Sequence, residues 1–523
     1  MKSLLVPTLL GACVLGLSAD DKKPSSPPPK LPLGKDTTFV TGPLDKHGYI
    51  DYEAALNAEL SKNVTRDNNA KVLLLEALGP APEGGDGFPL AYYKWLDIPP
   101  LPRDGDYFIS QYKYVRDQLG ITGEKLEALQ DLQYRLNQRP WKADDCPPLA
   151  EWLKVNDKHL AKVAEAVKRP EYFNPLVSRR AEGESSHLIG ALLPSVQKCR
   201  DLAQALTLRA MLHIHAGQLE RAWDDLLTCH RLGRLIARGA TLIEALVGFA
   251  ICQIATQATI TYIEHAHLDA KQALAHLRAI QQLPAIPPLA DKIDLAERFM
   301  GLDSLQMIRR GGLGALKGIV DDDEKPIADT EKALELLDWA VMLQTVNRWY
   351  DRMAAAMRIK DRTARVKEFQ KIEDDFQAIK KELADAEKVK KQLAGPEAGQ
   401  VVARSIANTL MSLLAPAIRR ISAAQERAEQ VAMNLQIALA LAAYHNDNGK
   451  YPDKLTDLAP KYLAQVPHDG FSGQPLIYKP TAQGYLLYSV GMNGQDDGGK
   501  TFDDDPPGDD LRVQIPQPPL KKK

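Results

Sequence analysis

Aromatic residues make up only 6% of the 523-residue chain, a scarcity that argues against a sheet sandwich and for helices packed through Ala and Leu. An excess of either charge is missing as well: 66 basic residues face 68 acidic ones, for a formal net charge of -2. No extended basic surface is left to neutralise phosphates, so nucleic acid is not an expected partner. Cysteine is sparse, with five in the whole chain. The four beyond the N-terminal segment, at positions 146, 199, 229 and 252, are too few to be the main source of stability in an exported protein. His-Glu-x-x-His, Gly-x-Ser-x-Gly, Walker-type and Rossmann glycine patterns are all absent, which removes the commonest signals of metallohydrolases, serine hydrolases and nucleotide binders.

The first segment with a definite meaning is the N-terminus. Lys2 precedes an apolar run from Leu4 to Leu17, and Ser18-Ala19 leads into the charged Asp20-Asp21-Lys22-Lys23. This is the pattern of a secretory signal peptide over residues 1–19, too short for a stable membrane span. Leu10-Gly11-Ala12-Cys13 also resembles a lipobox, so a lipid on Cys13 is an alternative route of processing. Either route places the chain outside the cytoplasm, with the membrane involved only through the signal peptide or that lipid. Residues 20–48, rich in Pro, Lys, Asp and Ser, are expected to form a linker.

A chain of this length is expected to hold two to three domains. Over residues 49–360 the apolar spacing is helical in most stretches, as at Ala54, Leu56, Leu60 and Val64. Arg221 to Ala237 and Leu242 to Ile263 are expected to pair as antiparallel helices turning at Gly239. Cys229 and Cys252 then lie nearly level and form the candidate disulfide, with two buried thiols as the alternative. The second of these helices is apolar on almost every face, but Glu244, Gln253 and Gln257 interrupt it. It is expected to be a buried central helix rather than a membrane span.

Leu206 to Cys229, with Ala210, Ala216-Gly217, Leu219, Ala222 and Leu226, resembles one tetratricopeptide hairpin, without a second copy at that period. The aromatic and proline-rich stretch from Tyr92 to Phe108 either seals the end of a helix pair or binds a peptide or glycan. His213 with His215, and His265 with His267, stand two apart on helices and so point to different faces, unlike a metal-gripping pair. Asp224-Asp225 and Asp374-Asp375 fit solvated helix faces. In the charged segment 361–400, Phe369, Ile372, Phe376, Ile379, Leu383 and Ala386 form a coiled-coil-like seam or the contact face of a helix lying on the body.

The stretch 401–511 carries a more specific order of features. A one-sided helix runs from Ala428 to His445, followed by Asn448-Gly449-Lys450-Tyr451-Pro452, a short Leu-rich segment around Leu455 and Leu458, and the turn Asp469-Gly470-Phe471-Ser472-Gly473-Gln474-Pro475-Leu476. Two alternating runs, Leu476 to Lys479 and Tyr485 to Val490, flank a turn and predict a β-hairpin. Ser489-Val490-Gly491-Met492-Asn493-Gly494 and a run of aspartates follow, and residues 512–523 are expected to be a tail.

This order resembles the soluble domain of the major pseudopilin of type II secretion. The resemblance spans Ala428 to Leu511 and lacks the family's N-terminal pilin sequence, because some four hundred residues precede it. It implies Ca²⁺, held in the loop after the hairpin. Asn493 stands at the family's first carboxylate position and Asp509-Asp510-Leu511 at its second, and Asp496, Asp497, Asp503, Asp504 and Asp505 add further oxygens. The expected ligand set is Asn493, Asp496, Asp497, Asp509 and Asp510, enough hard oxygens for Ca²⁺. The alternative is an acidic tail without an ion, on which Lys521-Lys522-Lys523 docks.

The expected fold is therefore mainly α: an irregular helical array with a helical hairpin and a coiled-coil-like segment, plus a small α+β pseudopilin-like module. The expected function is an exported, non-enzymatic binding or scaffold protein of the cell envelope, whose partner is a protein or an envelope polymer. Two alternatives stand beside it: a hydrolase of such a polymer with its cleft in residues 49–395, and a divergent component of a type II secretion or pilus-like machine.

Overall fold

The computed structural model describes residues 31–179, 187–191, 193–311, 337–385, 387, 391–392 and 394–520. The stretch expected as a signal peptide, with Cys13, the first part of the expected linker, Ala386 and Lys521-Lys522-Lys523 lie outside the described residues.

Packing begins at Leu31, inside the stretch expected as a linker. Leu31 and Thr38 are buried, and the carbonyl of Thr37 accepts from Asn347 Nδ2 at 2.6 Å. The Arg298 guanidinium lies over the Phe39 ring, 4.2 Å from its centroid. Helices α1 (Tyr52–Leu60), α2 (Ala70–Leu78) and α3 (Leu90–Trp95) follow. Tyr92, Tyr93 and Leu96 close over Val72, Leu75 and Phe173, so the aromatic stretch seals a small core of its own.

Helices α4 (Glu124–Leu136), α5 (Pro147–Val155) and α6 (Asp157–Ala166) lead to the central layer of α7 (Pro194–His215), α8 (Leu219–Ala237) and α9 (Leu242–His265). The expected hairpin is α8 and α9, and glycine sets its closeness. A Cβ on Gly248 would meet Ala237 Cα at 2.7 Å, and one on Gly233 would meet Cys252 N at 2.9 Å. This approach sets the Cys252 side chain against Gly233. Cys229 instead turns to α7, where its Sγ lies 3.9 Å from the Ala203 carbonyl. The candidate disulfide is accordingly not formed: all four described cysteines are free and buried. Burial pushes the Cys252 thiol up to about 11.

By length and composition α9 passes as a membrane span, but 67% of its most apolar window is buried in the protein. Glu244 does not interrupt it mid-helix. It closes the N-terminus as a capping box, accepting from Thr241 N at 3.1 Å while Thr241 Oγ1 accepts from Glu244 N at 3.1 Å. Asp225, expected on a solvated face, is 6% exposed and accepts two hydrogen bonds from Arg209, at 2.9 and 2.7 Å.

The chain continues through α10 (Ala270–Gln281), α11 (Arg298–Gly311), α12 (Trp339–Arg358), α13 (Arg362–Leu383) and α14 (Ala398–Asn448). Phe369, Ile372 and Phe376 of α13 are buried in the core shared with α12 and α14; the Phe376 ring stacks on Trp349 with centroids 4.1 Å apart. The seam is thus a contact face on the body. Helix α14 runs unbroken for 51 residues with Pro416 inside it.

After α14 come a 3-10 turn at Leu455–Leu458 and the antiparallel strands β1 (Ile477–Pro480), β2 (Tyr485–Ser489) and β3 (Leu511–Ile515), in the order β1-β2-β3. The register pairs Ile477 with Tyr488 and Leu487 with Val513. The hairpin matches expectation. The third strand starts at Leu511 and runs on into the stretch 512–523 expected as a tail, and Gln517 beyond it docks on α9, donating from Nε2 to Thr261 Oγ1 at 3.0 Å. Tyr485, Leu487, Val513 and Ile515 share one core with α7, α8 and α9, so the sheet is not a separate body.

Two predictions follow from these contacts. Gly248→Ala should destabilise the protein by about 1–3 kcal/mol, because overpacking against backbone cannot be relieved by a rotamer change; unchanged chemical denaturation would contradict the close packing. Asp303 is buried, accepts from Leu188 N at 2.7 Å, and has its carboxyl pushed up to about 7 by burial and then by Asp51 and Glu53. A raised carboxyl stabilises the fold below its unfolded value near about 4 and loses that contribution as pH climbs through about 7. Asp303→Asn should flatten the fall in stability across that window, whereas parallel profiles would show that Asp303 is not its source.

Candidate metal centre

The site lies in the loop that leaves β2 and returns as β3. Its supports come first. Asp469, 2% exposed, ties the preceding turn to the end of β2. Its Oδ1 accepts from Phe471 N at 2.9 Å and Ser489 Oγ at 2.7 Å, and its Oδ2 accepts from Val490 N at 3.0 Å. Phe471 then packs with Val490 and Leu511.

Helix α14 supplies the second support through two buried amides. Gln430 Oε1 accepts from Gly470 N at 2.7 Å, Gln430 Nε2 donates to Asn434 Oδ1 at 2.7 Å, and Asn434 Nδ2 donates to the Leu511 carbonyl at 2.8 Å. The relay fixes both the turn and the residue directly after Asp510. It was not foreseen, although two amides one helical turn apart on an apolar face were a visible signal.

Within the loop, Asp497, Asp509 and Asp510 converge, with one oxygen of each within 4.8 Å of the others. Asp497 Oδ2 accepts from Asp509 N at 3.0 Å and from Asn493 Nδ2 at 3.2 Å, and Asp510 Oδ2 accepts from Gly499 N at 2.7 Å. Glycine is required where the loop folds on itself: Gly491 has φ +67, and a Cβ there would meet the Asp509 carbonyl at 2.3 Å.

Of the five sequence-derived ligands, three are brought together. Asn493 borders the cluster, donating from its backbone N to Asp509 Oδ2 at 3.0 Å. Asp496 is engaged elsewhere, accepting from Tyr488 Oη at 2.9 Å and Gly498 N at 2.8 Å.

Electrostatics set this cluster apart. Asp510 is fully buried, and Asp509 Oδ1 and Asp510 Oδ1 are buried without a hydrogen-bond partner. Burial raises the Asp510 carboxyl, helped by the charges of Asp497 and Asp496. The Asp509 N–H, followed by Asn493, holds Asp497 below the usual carboxylate range. Some buried ions in the fold have a counter-ion, as Arg209 has Asp225 and Arg298 has Asp294 and Asp351. A buried carboxylate oxygen without a partner is costly, and a cation beside it offsets that cost. The donor set is all oxygen, which suits a hard cation such as Ca²⁺.

Lys71 Nζ contacts Ser195 Oγ, and burial lowers Lys71 to about 8, but both residues are 1% exposed and sealed from solvent. His213 is hydrogen-bonded to Gln218, and neither histidine pair belongs to a metal-binding group among the described residues. No protein-family model, curated protein or solved structure matches the chain.

Proposed function

We propose that the chain is an exported binding or scaffold protein of the cell envelope, with a C-terminal module similar to the soluble domain of a type II secretion pseudopilin and structured by Ca²⁺. The observation that carries the metal is the pair of partnerless buried oxygens, Asp509 Oδ1 and Asp510 Oδ1, beside Asp497. The order of parts supports the module: long helix, short 3-10 turn, antiparallel hairpin, acidic loop. Asp497, Asp509 and Asp510 would hold the ion, with Asn493 at its border.

Binding is favoured over a pilus-like machine by the first half of α14. Val402, Ile406, Met411 and Ile418 there are buried within the chain's own core, so that half is already occupied by intramolecular packing. Binding is favoured over hydrolysis by the sealed state of Lys71 and Ser195. The four described thiols, all buried, leave stability to helix packing and to the ion.

Calorimetry and thermal melting of the full mature chain in Ca²⁺ test this reading. Saturation at about 100 times Kd should add about 2.7 kcal/mol of stability, Asp510→Asn should abolish the gain, and partners captured from envelope extracts should dissociate in chelator. A melting curve indifferent to Ca²⁺ in the unmodified chain would sink the metal.

A further inference from the structure

A cleft of about 500 Å³ opens between α4, α9, α14 and β3, a size within the range of about 300–1,000 Å³ typical of small-ligand sites. One wall is the acidic loop itself, through Thr501 and Asp503, and Asp510 belongs to both the metal cluster and the cleft. The Gln517 side chain closes one end: its Oε1 accepts from Arg139 at 2.7 Å and its backbone N donates to Glu264.

The chemistry of the walls is specific. Helix α9 is buried over most of its surface, yet Gln253 and Gln257 are exposed and line the cleft one helical turn apart. Gln253, Arg427 and Gln514 line it without a hydrogen bond from their side chains to the described protein, and Arg427 rests over the Phe502 ring.

The lining holds four arginines (135, 139, 427 and 512) and four aspartates (131, 503, 504 and 510), so its formal charge is zero. That balance disfavours a phosphate or any other highly charged ligand. An amide offers donors and an acceptor side by side, and each hydroxyl of a sugar donates one hydrogen bond and accepts others, so the two match. The Tyr134 ring, on a residue 52% exposed, stands at the rim as an apolar face with a polar tip. Apolar groups line it too, among them the exposed Pro518 and Pro519, and these can meet the C–H faces of sugar rings.

We infer that this cleft binds a segment of a neutral oligosaccharide chain, with Gln253, Arg427 and Gln514 hydrogen-bonding its hydroxyls and Tyr134 covering a ring face. The inference rests on the binding-protein reading and narrows its partner to a polysaccharide. Because the acidic loop forms a wall, the ion that orders the loop also shapes the cleft.

The test is calorimetry of the full mature chain with cellohexaose, xylohexaose and the hexamer of N-acetylglucosamine, in Ca²⁺ and in chelator. At least one hexamer should bind, and the double variant Gln253→Ala/Gln514→Ala should weaken it about tenfold or more, as expected for two lost hydrogen bonds, with unchanged melting. Failure of all three hexamers to bind, or equal affinity in the variant, overturns the inference. Chromatography of the mixture separates the two readings: shortened saccharides would refute the non-enzymatic function while supporting the cleft as the sugar site. Binding by a chain that ignores Ca²⁺ would support the cleft and refute the metal.

Discussion

The protein is organised around the continuity of one helix. Ala398–Asn448, about 75 Å long at a rise of about 1.5 Å per residue, contributes buried residues to both large cores, as α8 and α9 do between them. Val402, Ile406, Met411 and Ile418 pack with α11, α12 and α13, whereas Leu435, Ile437, Ala438 and Leu441 pack with α7, α8, α9 and the sheet. A helix resists bending because each turn is hydrogen-bonded to the next, so these cores are held at a fixed separation. Between them Gln430 and Asn434 reach the Gly470 turn and the start of β3. The position of the acidic loop therefore depends on the same rod that joins the helical body to the sheet.

That placement explains how three carboxylates stay close together. Asp497, Asp509 and Asp510 are held by backbone donors and by glycine-permitted turns rather than by basic partners. Carboxylates this close together repel one another unless a cation stands between them. The proposed divalent cation would relieve that repulsion. It also links the loop to the neighbouring cleft, because Asp510 serves both, and a change in loop order becomes a change in cleft shape.

Much of this was legible where periodicity decides structure. The α8–α9 hairpin, the buried character of α9, the Leu455–Leu458 turn and the β1–β2 hairpin follow from apolar spacing and turn residues. Three features depended on tertiary contacts and were not. The one-sided pattern marks the helix only from Ala428, whereas packing on both sides of Pro416 carries α14 back to Ala398. The Pro-rich stretch after Leu31 has a linker's composition, yet Asn347 and Tyr52 bind its carbonyls. Strand β3 is only five residues long, and its pairing with β2 spans a long loop that no local pattern reveals. At the candidate site the acidic residue types were visible in advance. Their sorting into a converging trio, with Asp496 turned to Tyr488, required the fold of the loop. The cysteine pair shows the same limit: sequence places Cys229 and Cys252 level, and the close approach at Gly233 decides which neighbour each one meets.

The central claim is that the acidic loop is built to hold Ca²⁺, and diffraction from crystals of the mature chain grown in calcium tests it most directly. The account predicts an anomalous peak among Asp497, Asp509 and Asp510, with about six to eight oxygen ligands at about 2.3–2.6 Å. Ordered density for the loop with its three carboxylates solvated or paired to protein, and no peak between them, would contradict it.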